Sequence, residues 1–419
     1  MEKKIAVIGL GYVGLPLASM LVKSGHQVVG IDIDSKKVES LYAKKSYLSD
    51  ITDSEIGELI DSGRFAATVD YAQVSAVTYV IICVPTPLRN KNPDLSYIHS
   101  AIHHIRAFLR PGHVIVLESS TYPGTTEDYV QPLIETDSLQ VGKTIYLGYS
   151  PERIDPGNKD ISVESIPKII SGVTPGCLKQ IHHLYSNVFR TVVPVSSPRV
   201  AEFAKMLENS QRLINISFMN EINILANKMK VNLWEVIEAA KTKPMGFTPY
   251  YPSAGIGGHC IPVDPFFLSW IGMQEGVPLT MIHQAGLINE MIPHVVVSHV
   301  VHELGRRNIP MVNAKVGVIG LTYKKDVNDI RESAAVKVVE LLQNRRIHVS
   351  VHEPVYQGNL PKAAAHFDIT QEGLSQFDIV LILVDHSNIA WEDVARYGRC
   401  VIDTRNVTDG LPGDHIVRL

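Results

Sequence analysis

The chain has 419 residues, 45% of them hydrophobic and 20% charged, with a formal net charge of -4. That length predicts two or three domains of ordinary globular composition. The near-neutral balance argues against a nucleic-acid footprint, which needs a concentrated basic face, and no apolar run approaches the roughly 20 residues needed to cross a bilayer. Cys83, Cys177, Cys260 and Cys400 are scattered without paired spacing, which predicts a reduced, cytosolic protein without a cysteine-bound metal.

From Lys4 to about Pro194, short β-rich runs alternate with amphipathic stretches: KIAVIG, HQVVGID, VTYVIICVPT, HVIVLES, TIYLGYS and KIISGV. This alternation predicts a parallel sheet with crossover helices. The first run enters Gly9-x-Gly11-x-x-Gly14. There the first glycine permits a tight turn, the second lets a pyrophosphate approach the backbone, and the third lets helix pack on strand. The second run ends at Asp32, where a carboxylate accepts from a ribose diol and repels a 2′-phosphate, so NAD is favoured over NADP. The cofactor set is then Gly9, Gly11, Tyr12, Val13, Gly14 and Asp32. Lys37 either covers the same ribose or is solvated. Two further strand ends, CVPTP and ESSTYPGTT, leave through small hydroxylated loops and add Thr86 and Thr121. Cys83 reads as core packing. Glu152, in SPERIDPGN, follows another strand end, as either a general base for water or a turn-stabilising carboxylate.

Ser197 to about Lys230 contains no glycine and opens with a serine cap and a proline. Val200, Phe203, Met206, Leu207, Leu213, Ile214, Phe218, Ile222 and Leu225 recur at helical spacing. One long helix is expected, either buried in its own chain or dimerising through that stripe, followed by a helical region to about Asn308. Lys205 and Asn209, four apart, share a face and make a donor pair suited to an oxyanion, or are merely an exposed lysine and a capping-type asparagine. GIGGHCIPVDP carries Cys260, flanked by glycines that let a substrate approach and prolines that hold the geometry. A thiol there is either a small packing residue or a nucleophile toward a carbonyl, with Asp264 placed to orient water or a lysine.

A second βα pattern begins near Ala314. KVGVIGLTY at Lys315–Tyr323 nearly repeats KIAVIGLGY at Lys4–Tyr12, but Thr322 replaces the middle glycine and Lys325 the third. The repeat predicts a similar fold adapted to a different phosphate ligand. The partition is 1–196 as an NAD-binding domain, 197–308 as a central helical region carrying the thiol loop, and 309–419 as a second Rossmann-like domain: an α/β protein with two doubly wound parallel sheets.

Taken in order, Gly9 to Pro16, CVPTP, SSTYPGTT, SPER, AEFAKMLENS, GGHCIPVDP and LTYKKDVNDIRES resemble the UDP-sugar 6-dehydrogenases. The resemblance implies a four-electron oxidation of carbon-6 of a UDP-sugar by NAD, in a homodimer joined through the central helix, for cell-surface polysaccharide precursors. It implies Cys260 as nucleophile and Lys205 with Asn209 as oxyanion donors. Asp264 and Thr121 would hold water, and Glu152 would assist thioester hydrolysis. Substrate contacts are implied at Glu152, Arg153, Lys205, Asn209, Tyr250, Gly257, Lys324 and Arg331. SPER-x-DPGN and GFTPYYP are similar to the UDP-N-acetyl-D-glucosamine branch, with UDP-N-acetyl-D-mannosamine or UDP-glucose as alternatives. Pro156 stands where UDP-glucose members carry a second glutamate, and Ser253-Ala254 stand where the N-acetylglucosamine branch has Gly-Pro. A single-hydride dehydrogenase and a non-catalytic NAD or nucleotide-sugar binder are the competing classes.

Overall fold

The N-terminal apolar runs become strands β1 (Lys4–Ile8), β2 (Gln27–Ile31), β3 (Phe65–Thr68), β4 (Tyr79–Ile82), β5 (Val114–Leu117) and β6 (Tyr146–Tyr149). These come from a computed structural model that describes residues 2–48, 51–153, 163–360 and 364–419. All pair in parallel in the order β3-β2-β1-β4-β5-β6. Runs such as YVII and VIVL are wholly buried because helices cover both faces. One apolar cluster, around Ile5, Val7, Leu21 and Ile81, packs one face; another, around Ala6, Ile8, Val80 and Ile102, packs the other.

Two details differ from the sequence reading. KIISGV does not join this sheet: β7 (Lys168–Ile170) pairs in parallel with β8 (Val192–Pro194) alone. The third strand is FAAT, whose two alanines gave no apolar run to detect.

The chain divides into two compact units, residues 1–208 with 263–278, and 209–262 with 279–419. The second holds β9 (Lys315–Ile319), β10 (His348–His352), β11 (Ala365–His366), β12 (Ile379–Ile382), β13 (Val401–Asp403) and β14 (Ile416–Arg418). Their order, β11-β10-β9-β12-β13-β14, repeats that of the first sheet and is again parallel throughout. The repeated KVGVIGLTY motif therefore reports a repeated topology, the doubly wound order that places ligands at the carboxyl ends of the strands.

The long helix forms over Pro198–Met229, and Ser197 Oγ accepts from Val200 N–H at 3.4 Å, as the cap predicts. Its apolar residues separate into two faces. Met206 and Leu213 are buried, whereas Phe203, Leu207, Phe218 and Leu225 are 47–57% exposed. Among the described residues no helix is long and apolar enough to cross a membrane.

Candidate functional site

The three glycines of the first turn serve different ends. Gly9 has φ +90, and a Cβ on it would lie 2.7 Å from the Cys83 carbonyl oxygen. On Gly14 a Cβ would lie 1.8 Å from Gly9 O, so only glycine lets the helix Gly14–Lys23 leave the strand this closely. Gly11 is unlike both: a Cβ there meets nothing within 4 Å. Internal packing gives Gly11 no reason to lack a side chain, whereas a pyrophosphate lying against the backbone does. The helix starts at Val13–Gly14 without a side-chain cap and without an acidic residue in its first turn, which leaves its N-terminal end suited to an anion. Tyr12 and Val13 are half-buried beside it.

Asp32 is buried at the end of β2. Its Oδ2 accepts Leu10 N–H and Lys37 Nζ, both at 2.8 Å, and its Oδ1 accepts Asp34 N–H at 3.0 Å. Lys37 thus pairs directly with the carboxylate expected to read the ribose. Turn and carboxylate are one hydrogen-bonded piece, and the residues present fit NAD.

At the next strand ends, Thr86 Oγ1 donates to Ser120 O at 2.6 Å, and buried Thr121 Oγ1 donates to Thr125 Oγ1 at 2.5 Å. Glu118, at the end of β5, is buried against Lys168 Nζ at 2.8 Å and accepts from the Tyr185 hydroxyl. Burial pushes the Glu118 carboxyl up. The same ammonium lies 3.4 Å from Glu152 Oε2. Arg153 Nη2 and Nε bond Glu208 at 2.6 and 3.2 Å, and Nη1 donates to Pro167 O at 2.9 Å, so its guanidinium is tied to the long helix. Cys83 is buried and burial holds its thiol well above the usual range, as expected of a packing residue. Pro156 lies outside the described residues.

Lys205 and Asn209 are both buried on the long helix, not solvated. One turn earlier stands Glu202, which the sequence reading passed over. Its carboxylate accepts Gly124 N–H at 2.6 Å, Thr126 N–H at 2.9 Å and Thr126 Oγ1–H at 2.6 Å, which anchors the loop carrying Thr121. Burial pushes Glu202 up to about 7, against the pull of those three donors. Only the AEFAKMLENS motif as a whole pointed to it; nothing in its spacing did. Asp264 begins the helix Asp264–Gln274 and is buried, with Pro265 at the second position.

In the second unit the thiol loop lies against the second turn motif. A Cβ on Gly257 would lie 2.6 Å from Glu332 O, and one on Gly258 (φ +88) 2.7 Å from the Tyr323 ring. Gly258 N–H donates to Arg331 O at 3.1 Å. Both glycines are therefore required by the loop's own packing on Tyr323 and Glu332. Cys260, half-buried, is the one cysteine of the four that is not buried. Its neighbour His259 lies 3.2 Å from Arg331 Nη2, and Arg331 grips Asp329 with Nη2 and Nε at 2.6 and 2.9 Å. Lys324 is half-buried in the same motif, its carbonyl accepting from Thr322 Oγ1 at 2.9 Å. Tyr250 packs in a small cluster with Met219, Ile237 and Phe247.

The second turn has its own counterpart of Asp32. Glu353, just past the end of β10, accepts Leu321 N–H at 2.6 Å and Thr322 N–H at 3.2 Å through Oε2, with His386 Nε2 at 3.3 Å. Burial raises its carboxyl, but the hydrogen bond and charge of His386, with the backbone donors, override this and hold Glu353 at about 2. The signal was its position in the repeat: HVSVHE ends as HQVVGID does.

Three family descriptions match the chain in order. They are the NAD binding domain of the UDP-glucose/GDP-mannose dehydrogenase family over residues 3–189, its central domain over 199–291 and its UDP binding domain over 317–410. A UDP-N-acetyl-D-glucosamine 6-dehydrogenase of Pseudomonas aeruginosa is 34% identical across 95% of this chain and 94% of its own. A UDP-N-acetyl-D-mannosamine dehydrogenase of Pyrococcus horikoshii is 32% identical across 99% and 98%. The solved structure of a UDP-D-ManNAc dehydrogenase from Pyrococcus horikoshii matches with a TM-score of 0.89 at 30% identity, covering 99% of this chain and 98% of that one.

Proposed function

We propose, from the premise that this chain belongs to the UDP-glucose/GDP-mannose dehydrogenase family, that it oxidises carbon-6 of a UDP-N-acetylhexosamine twice while holding the sugar on Cys260. Family membership makes it an NAD-dependent UDP-sugar dehydrogenase. What carries the finer reading is the thiol: Cys83, Cys177 and Cys400 are buried, and Cys260 alone stands partly accessible on a loop fixed by its own glycines.

NAD, when bound, supplies the hydride acceptor for both oxidations. Asp264 or Lys205 holds the water that takes the proton of the carbon-6 alcohol. Cys260 Sγ then adds to the aldehyde as a thiohemiacetal, which keeps the sugar attached for the second oxidation to a thioester. Lys205 and Asn209 donate to the oxygen that gains charge, a role in which a single donor contributes about 2.7–4 kcal/mol. Glu152, with Asp264 and Thr121, directs the water that hydrolyses the thioester. Arg153, Tyr250, Gly257, Lys324 and Arg331 hold the nucleotide-sugar.

UDP-N-acetyl-D-glucosamine is the first candidate, supported by the SPER-x-DPGN form. UDP-N-acetyl-D-mannosamine is the second, supported by the Pyrococcus relative's near-complete coverage. The exposed stripe of Phe203, Leu207, Phe218 and Leu225 supports a homodimer through the long helix. The protein is placed in the cytoplasm, feeding cell-surface polysaccharide synthesis. Supplying UDP-GlcNAc, UDP-ManNAc and UDP-glucose in turn, with NADH absorbance recorded, should give turnover on one N-acetylhexosamine. Turnover on UDP-glucose alone would overturn the assignment.

A further inference from the structure

A loop without regular secondary structure must find partners for its backbone N–H and C=O groups elsewhere. Residues 251–260, ahead of and including the thiol, form such a segment. Two asparagines on two helices of the same unit supply partners. Asn220, on the long helix and 2% exposed, accepts Ser253 N–H on Oδ1 at 2.8 Å. Asn289, on the helix Thr280–Arg306, accepts Ile256 N–H on Oδ1 at 2.6 Å and donates from Nδ2 to Ile256 O at 3.0 Å. The second arrangement is that of a hydrogen-bonded pair in an antiparallel ladder, where one residue both gives to and takes from its partner. A carboxamide can imitate this because it carries donor and acceptor side by side. Between the anchors Gly255 has φ +128, and a Cβ there would lie 2.8 Å from the Ala334 methyl. Ile256 is itself buried. The stretch is therefore held by backbone pairing and close packing up to four residues before Cys260.

We propose that Asn289 is the positioning residue of the thiol loop: its carboxamide, acting through the backbone of Ile256, fixes where Cys260 presents its sulfur. This rests on the reading of Cys260 as nucleophile, and it gives a role to Asn289, which lies outside every sequence motif described above. Asn220 is the second anchor, at Ser253. Leucine at 289 keeps the branched shape and the number of side-chain heavy atoms and removes both hydrogen bonds. Aspartate keeps the acceptor for Ile256 N–H but sets a carboxylate oxygen against Ile256 O.

The test uses the full chain with Asn289→Leu and Asn289→Asp. Amide hydrogen exchange of peptides covering 251–260 should speed up roughly tenfold or more, while peptides of β9, β10 and β12 keep wild-type protection. Alkylation of Cys260 by iodoacetamide, followed by mass spectrometry, should rise in parallel. With substrate, kcat should fall by roughly 100-fold with KM changed little, the effect of a reacting group displaced by about 1 Å. Asn289→Asp should lie between wild type and Asn289→Leu in all three. Wild-type exchange and alkylation in both variants overturn the proposal, and so does exchange that rises equally across the second sheet. Should Asn289→Leu fail to fold, Asn289→Asp decides by the same criteria. Exchange and alkylation need no turnover. A wild-type protein inactive on every UDP-sugar would therefore sink the dehydrogenase reading and leave the loop anchor to be judged on its own data.

Discussion

Glu202→Gln should flatten the pH dependence of the first unit's stability. Glu202 is completely buried and its carboxyl is raised from an ordinary 4.5 to about 7, chiefly by burial. A carboxyl raised on folding binds its proton more tightly in the native state. Its contribution is fully present below pH 4.5 and is lost as pH rises through about 7. The interval of 2.5 pH units at about 1.36 kcal/mol per unit gives roughly 3 kcal/mol of stability lost between those limits. Glutamine cannot titrate, yet its carbonyl can still accept from Gly124 or Thr126. Trp270, whose ring lies tilted against that of Tyr122 with centres 4.8 Å apart, reports on this region. In a background with Trp234→Phe and Trp391→Phe, urea unfolding followed by Trp270 fluorescence from pH 4.5 to 8 measures the effect. The wild type should lose stability over that range by about 3 kcal/mol more than Glu202→Gln. Parallel curves would refute the reasoning, because Glu202 would then be ionised in the native state without penalty.

The glycines of the first turn offer a contrast. Gly14→Ala, whose Cβ falls 1.8 Å from Gly9 O, should destabilise the first unit in thermal unfolding, whereas Gly11→Ala, with open space, should unfold as wild type but bind NAD at least roughly tenfold more weakly by calorimetry. Asp32→Ala should reduce the preference for NAD over NADP, measured as the ratio of kcat/KM values. Glu353→Gln should destabilise the second unit. With the carboxyl held at about 2, its contribution is present above pH 4.5 and fades as pH falls toward 2, so the deficit in unfolding midpoint should be larger at pH 7 than at pH 3.

Much of the fold was legible because buried parallel strands are continuous apolar runs and the first strand-into-turn sequence is repeated, with Gly320 in the place of Gly9. FAAT escaped because a four-residue edge strand with Ala66 turned to solvent carries no continuous apolar run, and KIISGV was assigned to the wrong partners because an apolar run does not name the strand it pairs with. The long helix was visible from its lack of glycine. That its apolar residues form two faces, Met206 and Leu213 inward against Phe203 and Leu207 outward, was not, since a broad stripe looks alike in either case. In the candidate site, the residues that sequence spacing singles out are the turn, Asp32, Cys260, Lys205 and Asn209. Those that act across long sequence gaps were missed. Glu202 reaches the loop at Gly124, Asn289 reaches Ile256, and Lys168 bridges Glu118 and Glu152; in each case only the fold brings the partners together. Gly257 and Gly258 teach the same lesson: their packing partners, Glu332 and Tyr323, lie far along the chain, and only the fold brings them together.

If sulfur holds the sugar between two oxidations, the protein must carry that sugar covalently during turnover. The direct measurement is intact-protein mass spectrometry of enzyme quenched in acid during turnover, with NADH counted per sugar consumed. A uronyl adduct that maps to Cys260, two NADH per sugar, and neither adduct nor acid from Cys260→Ala are expected. One NADH per sugar, or acid formed at the normal rate by Cys260→Ala, would contradict it.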